Sequence, residues 1–150
     1  MPSTFTSLHY HIIFSTKERR PLIMPQLQQR LYDYIGGIIR HEKGILRCAG
    51  GVVDHVHLLA TLPPTKAISD WLRIIKSNSS GWIHDTFPDQ RAFGWQDGYG
   101  AFTVSKSAMA DVERYIAGQE EHHRRISFKE EFVEFLRKNE IEYDERYLWD

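Results

Sequence analysis

At 150 residues, with 41% hydrophobic and 26% charged positions, the chain has the length and composition of one globular domain rather than of a disordered or fibrous protein. A net charge of −1 argues against a generic polyanion binder, and no run approaches the roughly 20 apolar residues of a membrane span. The average hides a split: from Asp111 onward 12 acidic residues stand against 7 basic, a balance of −5, leaving 12 basic against 8 acidic, or +4, before it.

The start, "MPSTFTSLHYHIIFSTKERRP", puts polar residues and histidines where a secretory leader needs a basic start and an unbroken apolar centre, so a cytoplasmic protein is expected. The lone Cys48 has no partner for an internal disulfide, which fits a reducing compartment. One domain over 1–150 is expected, with a core of about 5–124 and a helical tail of about 126–150.

Residues 5–14 alternate as a strand does, with Leu8, Tyr10, Ile12 and Phe14 on one side and His9 and His11 on the other. Pro25 opens a helix that spaces Leu27, Leu31, Tyr34, Ile35 and Ile38 along one face and leaves at Gly44. "ILRCAGGVVD" and "HVHLLATLP" read as paired strands stopped by Pro63 and Pro64. A second helix carries Ile68, Trp71, Leu72, Ile75, Trp82 and Ile83 on one stripe and Arg73, Lys76, Ser77 and Ser80 on another. That second stripe is either a solvated face or a contact for DNA phosphates. "AFTVS" supplies a fourth strand, and helices follow at about 107–124 and 128–139. Strand, helix, strand, strand, helix, strand is the split βαβ order of an α+β, ferredoxin-like fold. Its antiparallel sheet has both crossover helices on one face, and the other face is expected to stay open for a site, with the C-terminal helix that bears Tyr115 near it.

Alternation in "DHVHLLATL" sends His55 and His57 to that second face while Val56, Leu58 and Ala60, with Val52, join the core. Two imidazoles can bind one divalent ion, but a tight site needs further ligands. His9 and His11 form another such pair, and His11 falls close to the site if the first strand lies beside the third. In "DVERYIAGQEEHH", Tyr115 and Gln119 are one helical turn apart on one face. A phenol, with a reference pKa of about 10, is a poor nucleophile unaided, and a divalent ion polarising a phosphorus electrophile would supply the help. Packing in the core is the other reading of Tyr115. His122 and His123 are alternative ligands or DNA contacts. Lys17, Arg19 and Arg20 form either an exposed basic loop or a backbone contact. Trp95, Tyr99 and Phe102 offer rings to unpaired bases, with core packing the plainer reading of Phe102. Cys48 reads as a small buried group.

Four stretches, "HIIFSTKERRP", "DHVHLL", "GYGAFTVS" and "YIAGQEEHH", occur in an order and spacing that resemble the single-tyrosine HUH transposases, closest to the REP-associated tyrosine transposases. The resemblance implies that His55, His57 and Gln119 ligate Mg2+ or Mn2+ and that Tyr115 attacks a phosphodiester of single-stranded DNA. It implies a 5′-phosphotyrosine intermediate, a departing 3′-hydroxyl and resealing without a nucleotide cofactor. It further implies hairpins at the DNA ends and a homodimer. A histidine-triad nucleotide hydrolase is excluded, since Leu59 stands where the third histidine belongs. A water-using, metal-dependent phosphodiester hydrolase and a non-catalytic hairpin-binding descendant are the competing readings. The acidic tail, with Phe128, Phe132, Phe135 and Leu136 on one stripe, is expected to pack near the site and restrain it.

Overall fold

The computed structural model describes residues 3–149; Met1 and Pro2, at the start of the expected domain, and Asp150, at the end of its tail, lie outside them. In chain order the elements are β1 (His9–Ser15), α1 (Pro25–His41), β2 (Ile45–Val52), β3 (His55–Thr61), α2 (Ile68–Thr86), β4 (Gly100–Thr103), α3 (Met109–Ala117), α4 (Gln119–His122) and α5 (Phe128–Lys138). The strands form one sheet in the order β2-β3-β1-β4, and every neighbouring pair is antiparallel. This is the expected α+β, ferredoxin-like arrangement, with β1 and β3 at the centre.

Alternation decides which side chains meet the helices. Ile12 and Phe14 of β1 and Val56, Leu58 and Ala60 of β3 face α1 and α2, where Leu27, Leu31, Ile35, Ile39, Trp71, Leu72, Ile75 and Ile83 close over them. Full burial of each aliphatic side chain contributes about 1.5–3 kcal/mol. Ser79 enters the same stripe because its hydroxyl is paired twice, donating to the Ile75 carbonyl at 2.6 Å and accepting from Trp95 Nε1 at 3.0 Å.

β1 begins later than its alternation suggests, and Phe5 is 91% exposed. Its partner sets the limit: the last β1–β3 pair is His9 with Thr61, beyond which Pro63 and Pro64 cannot extend a ladder. β4 likewise runs from Gly100 to Thr103 instead of through Ser105.

The sheet's second face is not open. Ile13, Leu59 and Phe102 also point there, and that apolar surface needs cover. Met109 and Ile116 of α3 pack on Leu59, while Phe128, Phe132 and Leu136 of α5 pack with Ile13 and Phe102. Two glycines permit the approach. A Cβ on Gly50 would lie 2.4 Å from the Ile116 carbonyl oxygen, and one on Gly100 would lie 2.8 Å from the Phe132 ring. The histidine face is therefore a buried interlayer.

Candidate active site

β3 starts with its site residues. His55 follows the two-residue turn at Val53 and Asp54, and His55 and His57 are both 0% exposed on the side covered by α3 to α5. Each ring is anchored through Nδ1. Asp54 Oδ1 lies 2.7 Å from His55 Nδ1, and His11 Nε2 lies 2.8 Å from His57 Nδ1. The latter contact follows from register, since His57 pairs with Ile13 and His11 with Leu59, making the two histidines diagonal neighbours. His9, in contrast, bonds Thr61 and Ser7 away from this group.

The covering helices supply the rest. The chain turns at Gly118, so the helix expected over 107–124 is divided into α3, carrying Tyr115, and α4, starting at Gln119. Gln119 is 1% exposed; its amide nitrogen donates to the Tyr115 carbonyl at 3.4 Å, which turns Oε1 toward His55 Nε2 at 3.3 Å and His123 Nε2 at 2.9 Å. His123 is held by the Ile126 carbonyl, 2.9 Å from its Nδ1. From α5 comes a carboxylate that the sequence motifs did not single out. Glu131 is 2% exposed, and its Oε1 lies 3.0 Å from His57 Nε2, 3.1 Å from His123 Nε2 and 3.4 Å from His55 Nε2. Its Oε2 accepts the Tyr115 hydroxyl and lies 3.1 Å from His122 Nε2, itself 3.3 Å from the phenol oxygen.

Burial and charge set the protonation states. Burial pushes His11 down to about 3 and His57 down to about 4, so both rings are neutral near pH 7. Burial also works against the charged form of His55, but Asp54 and Glu131 outweigh it and its pKa is raised. Burial opposes ionisation of Glu131 as well, yet bonds from His123, His55 and His57 hold it well below the carboxylate range. Tyr115 is raised, first by burial and then by the Glu131 carboxylate, so its phenol keeps its proton.

The donor set fits a cation. The ligating atoms of His55, His57, His123 and Glu131 lie within 4.8 Å of one another, and Gln119 Oε1 joins them. At His123 the Ile126 carbonyl lies 2.9 Å from Nδ1, which leaves Nε2 facing Gln119 Oε1 and Glu131 Oε1. Such a convergence of imidazole nitrogens and oxygens, one of them anionic, is a donor set that could hold a divalent ion.

Comparison with known proteins identifies the family. The model of a family described as IS200-like transposases matches residues 4–119. The chain belongs to that family. The ISDra2 transposase TnpA of Deinococcus radiodurans is 27% identical over 117 residues, covering 75% of this chain and 84% of the relative. A transposase for insertion sequence element IS200 from Salmonella typhimurium is 27% identical over 121 residues, covering 77% of this chain and 78% of the relative. A solved structure of a Deinococcus radiodurans protein assigned as a transposase superposes with TM-score 0.63 at 26% identity, covering 79% of this chain and 95% of that one. A REP-associated tyrosine transposase bound to a REP hairpin shares the fold, with TM-score 0.60 at 16% identity over 84% of this chain and 74% of the other. Within this IS200-like chain, His55, His57, Tyr115 and Gln119 fall inside the matched stretch, whereas His122, His123 and Glu131 lie beyond it.

The candidate DNA contacts gather elsewhere. Arg73, Lys76 and Tyr99 line a groove of about 430 Å³ beside α2, shared with Trp95, Gln96 and Asp97. Lys76 is committed there: its ammonium donates to the carbonyls of Gln96, Asp97 and Gly98 at 2.9, 3.2 and 2.6 Å. Lys17 is exposed, Arg20 pairs with Glu18 at 3.1 Å, and the Arg19 guanidinium stacks 5.2 Å from the Trp149 ring centroid. Phe102 is core, packed on Phe135, and Trp95 is core too, edge-on to Phe14. Cys48 is half-buried against the Leu59 cluster. Glu131 did leave a trace in the sequence: it sits among Phe128, Phe132 and Phe135 on α5, a carboxylate on an apolar stripe. No helix is long and apolar enough to cross a membrane among the described residues.

Proposed function

We propose that this chain cleaves and rejoins single-stranded DNA beside hairpins, with Tyr115 as nucleophile. The observation that carries the reading is the bond network that links the Tyr115 hydroxyl, through Glu131, to the buried pair His55 and His57. Tyr115 Oη would attack phosphorus, forming a P–O bond to the protein as the bond to the 3′-oxygen breaks. The phenolic proton passes to Glu131, which already accepts it, beside His122 Nε2 at 3.3 Å, and the departing 3′-oxygen takes up a proton from water. The product is a 5′-phosphotyrosine and a free 3′-hydroxyl. Attack by that hydroxyl, or by another DNA end, reverses the step and restores the phenol, so no nucleotide cofactor is consumed. His55, His57 and Gln119 would hold a divalent ion, Mg2+ or Mn2+ by family resemblance. When bound, such an ion neutralises phosphate charge and polarises the phosphorus.

Hairpin-ended DNA as partner, a homodimer as working unit and a cytoplasmic setting belong to the same reading, and sedimentation of the full chain with and without hairpin DNA tests the pairing. The chemistry is tested by mixing the protein with single-stranded DNA from the flanks of its own gene, with and without Mn2+, on a denaturing gel. An ion-dependent covalent adduct, absent from Tyr115→Phe, is expected. Cleavage that survives in Tyr115→Phe without an adduct would instead mean hydrolysis by water. Hairpin binding with no cleavage would mean a binding module.

A further inference from the structure

We infer that His123 and Glu131 complete a nitrogen-rich cation site in this chain, one that selects Zn2+ and Mn2+ over Mg2+. The inference rests on the reading above only in taking the buried histidine cluster to be a cation site.

Two residues on one strand and an amide would make a sparse, oxygen-tolerant site. The structure offers more. Three imidazoles turn Nε2 inward, each positioned through Nδ1 by a different outer partner: Asp54 for His55, His11 for His57 and the Ile126 carbonyl for His123. Partners of this kind fix ring orientation and raise ligand basicity. Gln119 Oε1 and Glu131 Oε1 add two oxygens, one of them anionic, and both side chains are at most 2% exposed. His122 does not belong to the set, since it bonds Glu131 through the other carboxylate oxygen and touches Tyr115.

Ion choice follows from this composition. Imidazole-rich sets favour zinc and its first-row neighbours, with Zn2+ above Mn2+ in affinity. Mg2+ sheds water reluctantly and is ordinarily held by one or two carboxylates with several waters retained. A centre walled by His55 and His57 at 0% exposure, with Phe128 packed 4.4 Å from the His55 ring centroid, leaves little room for that hydration shell. His123 and Glu131 lie past residue 119, where the family match ends.

The test uses the metal-free full chain, dialysed against micromolar Zn2+ or Mn2+ in millimolar Mg2+, with retained metal measured by mass spectrometry. Co2+ serves as a visible-absorption probe of the ligand set. Wild type is expected to retain about one equivalent of Zn2+ or Mn2+ and little Mg2+. His123→Ala and Glu131→Gln should each weaken Zn2+ binding by about tenfold or more and alter the Co2+ spectrum, while the exposed His41→Ala leaves both unchanged. Because Glu131 also docks α5, His123→Ala is the deciding variant if Glu131→Gln loses its fold. Equal retention of Mg2+, or binding and spectra unchanged in His123→Ala, would overturn the inference. A Tyr115 adduct that forms with Mg2+ alongside unchanged His123→Ala binding would sink this inference and keep the proposed function. Selective Zn2+ retention with no adduct under any ion would do the reverse.

Discussion

Lys76 shows how one buried charge organises a loop far from the chemistry. Its ammonium satisfies three successive carbonyls and lies over the Phe14 and Tyr99 rings, 5.3 and 5.6 Å from their centroids. Burial pushes its pKa down to about 8, with Asp97 pulling the other way. A lysine whose folded pKa lies below its unfolded value binds fewer protons when folded, so its burial penalty is full below about pH 8 and relieved as pH rises toward 10.5. Wild-type stability measured relative to Lys76→Met in urea should therefore climb between about pH 8 and 10.5. A flat difference across that window would show that the folded lysine titrates normally. The sequence already placed Lys76 on a polar stripe but not in this role, because the carbonyls it serves lie 20 to 22 residues away. The same distance effect separates the two halves of the site. His55 and His57 are legible from a strand's two-residue period, and Tyr115 and Gln119 from one helical turn. Glu131 reaches His57 across 74 residues, and no local period encodes such a meeting.

Among elements, α5 is the one whose attachment bears most directly on the site. Its start is well specified: Ser127 Oγ accepts from the Glu130 amide at 3.2 Å, and the Glu130 carboxylate accepts in return from the Ser127 amide at 3.4 Å. Its Phe128, Phe132 and Leu136 are its buried anchors in the interlayer. Ser127→Ala removes an N-cap worth about 1 kcal/mol. Hydrogen exchange should quicken in the α5 amides of that variant while the β1 and β3 amides keep their protection. Equal acceleration in the central strands would mean that α5 unfolds only with the whole molecule. This helix was readable from its capping pair and apolar stripe, and its observed bounds fall one residue short of the expected end. The division of the preceding helix at Gly118 was not. Gly118 has ordinary negative φ, and the break pays off only through where it sends Gln119, in contact with residues remote in sequence.

At the scale of the molecule, a sheet with one core has become a sheet with two covered faces. The expectation of an open site face failed because it counted two histidines on that face and overlooked Ile13, Leu59 and Phe102 beside them. The cover carries the acidic share of the chain's charge, and it roofs Tyr115, the proposed nucleophile. The cleft beside Tyr115, lined by His122, Ile126, Glu131, Glu134, Phe135 and Lys138, has a volume of only about 100 Å³. Small-molecule sites ordinarily occupy about 300–1,000 Å³, so on the proposed function this cleft is too small for a DNA strand, and movement of α5 is one way to widen it. Beside Glu131 and Phe128, Phe135 also joins α5 to the site, with its ring centroid 5.1 Å from that of His11, 5.8 Å from that of Tyr115 and 5.4 Å from that of Phe102. Phe135→Ala should loosen that joint at a cost of about 3–5 kcal/mol or less, since the ring is only half-buried. If movement of α5 limits access, single-turnover formation of the Tyr115 adduct will be faster in this variant than in wild type, and α5 amides will exchange faster once DNA is added. A slower rate, with α5 still protected on the DNA-bound protein, would mean that the closed arrangement is itself the working one and that the strand enters by another route.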